Sequence, residues 1–198
     1  MISKIQNFRS FYDWGITAQE KALEFACDNQ PNLPSKLYYR AMTIDAPKGD
    51  IFPRLCQMRI APYSYDWLDN FGRKSPEILT PGITKLQLGQ VFMTGFELVD
   101  FDYNQQVTIR SRDIPAWQFV FGDIILTYMI RPQKKYLNHA IDDLVNTETC
   151  RLLVKMRVDY PRNIPMRLLM RALLPPGDTF MMHKQLRNFR RLSESPRN

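Results

Sequence analysis

The clearest pattern in the sequence is an alternation of apolar and polar residues over 150–159. Its apolar positions fall on one side of the chain, and they are Leu152, Val154, Met156 and Val158. Successive side chains of a β-strand point to opposite faces of the sheet, so this stretch predicts a strand with one buried face. The other side carries Arg151, Lys155 and Arg157, and that face is predicted to be in contact with water.

Four further stretches are rich in the β-branched and aromatic residues that favour strands, and they lie at 37–46, 91–101, 106–112 and 124–131. Turn-forming residues separate them, including a predicted turn at 114–116. Because the last three of these stretches follow one another closely along the chain, they predict an antiparallel meander.

Helical signals lie on either side of the first predicted strand. Thr17 and Glu20 have the spacing of a capping box, in which each side chain satisfies a backbone donor of the other residue, and this predicts a short helix over 17–28. Beyond the strand, the spacing of Ile51, Leu55 and Met58 predicts a second helix.

The end of the chain changes to helical spacing, with apolar residues recurring every three or four positions over 166–173 and again over 182–189. Two consecutive prolines, Pro175 and Pro176, lie between these stretches. Proline lacks an amide donor and restricts the residue before it, so we predict two helical pieces, the second capped by Asp178.

These elements predict an α+β fold, in which a long C-terminal helix, kinked at the proline pair, covers one face of an antiparallel sheet. A segment rich in proline and asparagine follows the first helix. It divides the chain into a predicted N-terminal helical arm, residues 1–33, and a main domain, residues 34–194.

The positive charge is concentrated in the last quarter of the chain. The 198 residues carry a net charge of +7, and residues 151–198 alone hold eleven Lys and Arg against three acidic residues. This distribution argues against a uniformly basic surface for nucleic acid, and we expect no sequence-specific nucleic-acid binding. Lys184, Arg187 and Arg191 form one helical stripe, which is either a solvated face or a site of weak contact with an anionic membrane surface.

Other features of the sequence limit the class of protein. No apolar run approaches the length needed to cross a bilayer, and no secretory leader is evident, so a cytoplasmic location is expected. Cys27, Cys56 and Cys150 are widely spaced and predicted to be reduced and buried. We predict no metal and no cofactor, because the motifs that usually mark such sites are absent.

The densest group of unusual residues lies at 61–73, in the segment APYSYDWLDNFGR. It combines aromatic rings, carboxylates and an arginine, and its candidate site residues are Tyr63, Tyr65, Asp66, Trp67 and Arg73. Aromatic rings with a polar tip suit the rim of an apolar pocket. The alternative is a loop whose polar groups bond to its own backbone.

This segment also carries a resemblance to a known family. PYSYDWLDNFGRKSP, preceded by RAMTIDAPKGDIFPRLCQMRIA and followed by LTPGITKLQLGQVF, resembles the SRPBCC superfamily, which includes START, polyketide-cyclase-like and Bet v 1-like proteins. The similarity returns at GDTFMMHKQLRNFRRLSE. It implies a helix-grip fold, in which an antiparallel sheet wraps a long C-terminal helix and encloses an apolar cavity.

On the fold that this resemblance implies, the strands and the helix provide the cavity wall. The expected ligand-binding residues, besides those of the segment at 61–73, are Phe92, Phe96, Leu98, Leu152, Val154, Met156, Met182, Leu186 and Phe189. Taken alone, each of these side chains is more simply explained as ordinary core. Glu97 interrupts an apolar strand and is a candidate polar group of the cavity, with Arg40 as a candidate partner. Strand alternation also allows Glu97 to face solvent instead.

The leading hypothesis is therefore a protein that binds a hydrophobic small molecule in an internal cavity. One alternative is a cyclase or dehydratase acting in the same cavity through Tyr65, Asp66, Arg73 or Glu97. The other is a module that binds a membrane surface or a partner through the basic C-terminal helix. The sequence does not decide whether the cavity is open or filled, nor the oligomeric state.

Overall fold

The computed structural model describes residues 11–29, 36–65, 72–133 and 149–195. These residues form one seven-stranded sheet in the order β1-β2-β7-β6-β5-β4-β3, antiparallel except for the β1–β2 pair. Its strands are β1 Asp13–Trp14, β2 Lys36–Ile44, β3 Val91–Phe92, β4 Phe96–Asp102, β5 Gln106–Ser111, β6 Asp123–Gln133 and β7 Thr149–Asp159. The helices are α1 Ala18–Lys21, α2 Lys48–Cys56, α3 Pro115–Phe121 and α4 Ile164–Glu194, with short 3-10 turns at Ala26–Asp28 and Gln57–Arg59.

The alternating strand is confirmed as β7, which lies between β2 and the central strand β6. Its apolar side packs in the main core beneath α4. The prediction that its other side faces water is wrong, because the segment 11–29 covers much of it. Lys155 of β7 pairs with Asp28, and a second apolar cluster forms around Phe25 and Leu153.

The N-terminal helix is shorter than predicted. The capping box is present, since the Glu20 amide donates to the Thr17 hydroxyl and the Thr17 amide donates to the Glu20 carboxylate. The helix α1 ends at Lys21, however, and Ala26–Asp28 forms a separate 3-10 turn. Cys27, the middle residue of this 3-10 turn, is buried against the sheet, and its amide donates to the Thr127 hydroxyl.

The C-terminal region is one continuous helix of 31 residues, so the prediction of two pieces is wrong. Asn163 caps its first turn by accepting a hydrogen bond from the Met166 amide at 2.9 Å. The proline pair removes two internal donors but does not end the helix. Pro175 is buried, and its carbonyl accepts a hydrogen bond from the Thr179 hydroxyl at 2.8 Å, which supports the backbone at this point.

The helix α3 replaces the predicted turn at 114–116. Pro115 occupies its first turn, where the missing amide costs least. It ends at Gly122, whose φ of +76° leads the chain directly into β6. A Cβ built on Gly122 would lie 2.0 Å from the Asp159 carbonyl oxygen, so this turn requires glycine.

We predict that Gly122→Ala lowers the free energy of unfolding by on the order of 3 kcal/mol, through the unfavourable φ and the clash with β7. Gly177→Ala is the matched control, because a Cβ at this helical position meets nothing within 4 Å. The control should gain about 0.5–1 kcal/mol from higher helix propensity. Urea denaturation of both variants measures the two changes, and equal stability of the two would contradict this account of the turn.

Candidate functional site

The inner face of the sheet and α4 enclose the main core, and the predicted cavity-wall residues meet there. One continuous apolar cluster contains Phe92, Leu98, Leu152, Val154, Met156, Met182, Leu186 and Phe189, and Phe96 packs against its edge. The structure therefore brings together the predicted residues of the strands and of the helix. The strand residues meet there because alternate side chains of each strand point to the inner face of the sheet.

Burial is uneven within this cluster. Phe92, Leu152, Leu186 and Phe189 have no exposed surface at all. A side chain with no accessible surface touches no space as large as a water molecule. Met156 and Met182 instead keep 7% and 8% of their surfaces exposed, and Leu126, opposite Met156 on β6, keeps 3%. We call Leu126, Met156 and Met182 the methionine end of the interior.

A buried ion pair crosses from the sheet to α4 next to the methionine end. Arg40 of β2 is 1% exposed, and its Nη2 atom lies 2.5 Å from Oδ2 of Asp178. The same guanidinium donates to the backbone carbonyls of Phe11 and Tyr12 and to the Thr179 hydroxyl. Burial raises the pKa of the Asp178 carboxyl, and the adjoining guanidinium opposes that rise.

Two buried donors near this pair have no hydrogen-bond partner among the described residues, Arg40 Nε and Trp14 Nε1. The two residues are paired in register on β2 and β1. The Trp14 ring packs against His183 with the centroids 5.0 Å apart, while Arg40 reaches Thr179. Thr179 and His183 flank Met182 along α4, so both donors lie close to the methionine end.

Other polar side chains of the interior are hydrogen-bonded to one another or to the backbone. The hydroxyls of Tyr38 and Tyr160 are 2.6 Å apart, and the Tyr128 hydroxyl donates to the Gln185 side-chain oxygen at 2.8 Å. The Gln185 amide in turn donates to the Pro62 carbonyl at 2.6 Å. Burial raises the pKa of Tyr128, which keeps it a neutral donor.

The segment at 61–73 is anchored to α4 by its first residues. Tyr63 is buried and adopts a φ of +59°, and its hydroxyl donates to the Pro76 carbonyl while its own carbonyl accepts from Asn188 of α4. Tyr65 stacks on the exposed Phe180 ring of α4, with the centroids 4.2 Å apart. Arg73 is exposed, and Asp66 and Trp67 lie outside the described residues.

The predicted partnership between Arg40 and Glu97 is wrong, because Asp178 takes that place. Glu97 lies next to the inward Leu98 on β4 and opposite Arg110 on β5, which places it on the outer face of the sheet. Tyr65 packs on α4, across the sheet from Glu97. The described members of the proposed catalytic set are therefore not gathered in one site.

Sequence reasoning missed the interior role of Asp178 by assigning it to a helix cap. The sequence does contain an indication of this role. Side chains alternate between the two faces along β2, which places Arg40 on the same face as Tyr38 and Met42. A cation on a buried strand face requires a partner. Asp178 is one of only three acidic residues in the last quarter of the sequence.

The predicted basic stripe is exposed on α4 at Lys184, Arg187 and Arg191. Arg191 also pairs with Glu77 at 2.6 Å, and this pair is exposed on both sides. Part of the positive charge of the stripe is therefore neutralised within the protein.

A separate cleft of about 400 Å³ opens on the surface, outside the interior. Its lining includes Arg59 and Ile60, the turn at 80–83, Gln90 and Val91. Within the described ranges, no group of three or more His, Cys, Asp or Glu residues is placed to hold a metal ion. The described helices also include none that is both long and apolar enough to cross a membrane.

Comparison with known proteins identifies the fold. No protein-family profile and no curated protein matches the sequence. Truncated norcoclaurine synthase from Thalictrum flavum superimposes with a TM-score of 0.51 and 12% identity, over 85% of this chain and 99% of that one. The same enzyme in complex with dopamine and hydroxybenzaldehyde gives 0.49 and 10%, over 89% and 96%. A protein from Chromobacterium violaceum gives 0.46 and 12%, over 82% and 100%.

The chain thus has the Bet v 1-like helix-grip fold, with which the seven-stranded sheet and the long C-terminal helix agree. The predicted fold class is confirmed. At this level of identity, the likeness identifies the architecture and leaves the function to be argued from the residues.

We predict that Asp178→Asn lowers the free energy of unfolding by about 3 kcal/mol, because it leaves the buried charge of Arg40 without a counter-ion. Glu77→Gln is the matched control. It removes the carboxylate of an exposed arginine pair and should leave the unfolding midpoint unchanged. Urea denaturation at neutral pH compares the two variants, and an unchanged midpoint for Asp178→Asn would contradict the anchoring role of the pair.

Proposed function

We propose that the protein binds a hydrophobic or amphipathic small molecule at the methionine end, between α4 and the inner face of the sheet. The observation that carries this proposal is the uneven burial of the interior. Leu186 and Phe189 have no exposed surface, whereas Met156 and Met182 keep a small exposed fraction. Room for a ligand is therefore expected around the two methionines.

The chemistry of this end suits an apolar ligand. Methionine is flexible and polarisable, so its side chain adapts its shape to varied apolar groups at little energetic cost. The neighbouring inward residues of β6 and β7 are also apolar, which favours binding through burial of apolar surface. The fully buried members of the predicted wall, such as Leu152 and Phe92, would support this site rather than contact the ligand.

The two unpartnered donors suggest where a polar group of the ligand would lie. Trp14 Nε1 and Arg40 Nε are buried near Met182 and have no acceptor among the described residues. A buried donor without a partner is unfavourable, so an oxygen acceptor delivered by a ligand would be stabilised there. The proposed ligand therefore has an apolar body and at least one carbonyl, hydroxyl or ether oxygen.

We predict that the neutral dye N-phenylnaphthylamine binds the protein and that filling the methionine end weakens this binding. Met182→Trp adds volume in the proposed site and should raise the dissociation constant about tenfold. Met156→Phe is a smaller change that tests the same site if the larger side chain perturbs folding. Fluorescence titration gives the affinities, and thermal melting confirms that each variant is folded.

The matched control is Val91→Trp, which fills the surface cleft and leaves the interior unchanged. The proposal expects dye affinity to be unaffected by this control. Loss of binding in Val91→Trp, with full binding retained in both methionine variants, would assign the dye to the surface cleft and contradict the proposal.

A further inference from the structure

The first half of α4 exposes an unusual number of large apolar side chains. Ile164, Leu168, Leu169 and Leu173 are 61%, 62%, 47% and 54% exposed, and Phe180, just past the middle of the helix, is 55% exposed and stacks on Tyr65. We call these five residues the apolar face of α4. At 100° per residue they extend around about half of the helix circumference, so the exposed side of this half-helix is apolar rather than polar.

A neighbouring helix extends the same surface. The Asn163 side-chain amide donates to the Phe119 carbonyl at 3.1 Å, which places the end of α3 beside the start of α4. Phe119 is itself 59% exposed. Contiguous exposed apolar surface of this kind marks an interaction site in a soluble domain.

The charged residues within this stretch of the chain are all of one sign. Residues 160–177 contain Arg162, Arg167 and Arg171 and no Asp or Glu. Arg162 and Arg171 are exposed, and Arg171 lies over the Tyr160 ring at 5.6 Å. Apolar side chains combined with arginines and no acids are typical of a helix that lies in a membrane interface.

We infer that the apolar face of α4 docks on an anionic membrane surface, with the leucines entering the interface and the arginines contacting lipid phosphates. A second copy of the chain fits this face less well. A symmetric dimer would pair the face with itself and bring the exposed Arg162 and Arg171 of both copies into one interface. The inference goes beyond the proposed ligand binding and does not depend on it, and it uses the first half of α4 rather than the stripe at Lys184, Arg187 and Arg191.

Co-sedimentation with vesicles tests this inference, using phosphatidylcholine alone and phosphatidylcholine mixed with phosphatidylglycerol. The wild-type protein is expected to sediment with the mixed vesicles and much less with the neutral ones. The triple variant Leu168→Ser, Leu169→Ser, Leu173→Ser should bind the mixed vesicles at least about fivefold more weakly. The double variant Arg162→Gln, Arg171→Gln should also bind more weakly and should lose most of the difference between the two lipids.

Two controls keep the test specific. Ile78→Ser with Leu88→Ser removes exposed apolar residues outside α4, and Lys184→Gln with Arg187→Gln removes exposed cations from its second half. Both controls should bind like the wild type. Wild-type protein that stays in solution, or a leucine variant that binds undiminished, would overturn the inference. So would light scattering that shows a wild-type dimer converted to a monomer by the leucine variant, because the face would then be covered by a second copy.

Discussion

The buried contact between Arg40 and Asp178 determines how the helix lies on the sheet. Arg40 points inward from β2, and a buried charge in that position needs a counter-ion and hydrogen-bond acceptors. Asp178 supplies the counter-ion from the middle of α4, and the carbonyls of Phe11 and Tyr12 accept further hydrogen bonds. One side chain thus joins the central sheet, the long helix and the N-terminal segment.

This anchor divides α4 into two halves with different surroundings. Beyond Asp178, the residues Leu186 and Phe189 are sealed against the inner face of the sheet. Before it, the exposed leucines of the first half face outward. The two proposals concern opposite sides of this helix. The methionine end faces the sheet, and the apolar face lies on the outer surface, with four of its five residues before Asp178. The proline pair lies between the halves, next to the residues that hold the anchor in place.

The sequence predicts the parts of this structure that depend on local periodicity. The alternation in β7, the capping box at Thr17 and the inward set around Leu152 all appear as expected, because burial of one strand face and local hydrogen bonding dictate them. The fold class follows from the order of these elements and from the resemblance to the SRPBCC superfamily.

The features that the sequence does not predict arise from contacts between distant segments. The helix continues through Pro175 because tertiary packing buries that residue. Lys155 is covered because the segment at 11–29 folds across the sheet. From the sequence alone, Asp178 resembles a helix cap, and only the folded structure shows that it pairs with Arg40. Glu97 lies on the outer face of the sheet, away from Arg40. Periodicity carries no information about such pairings.

The central claim is that the interior beneath α4 has room for an apolar ligand at the methionine end. A crystal structure determined under xenon pressure tests this most directly, because xenon enters apolar spaces without requiring a specific hydrogen bond. The account predicts xenon beside Met156 and Met182 and none around Leu186 and Phe189. An interior without xenon, or xenon bound only in the surface cleft near Val91, would contradict it.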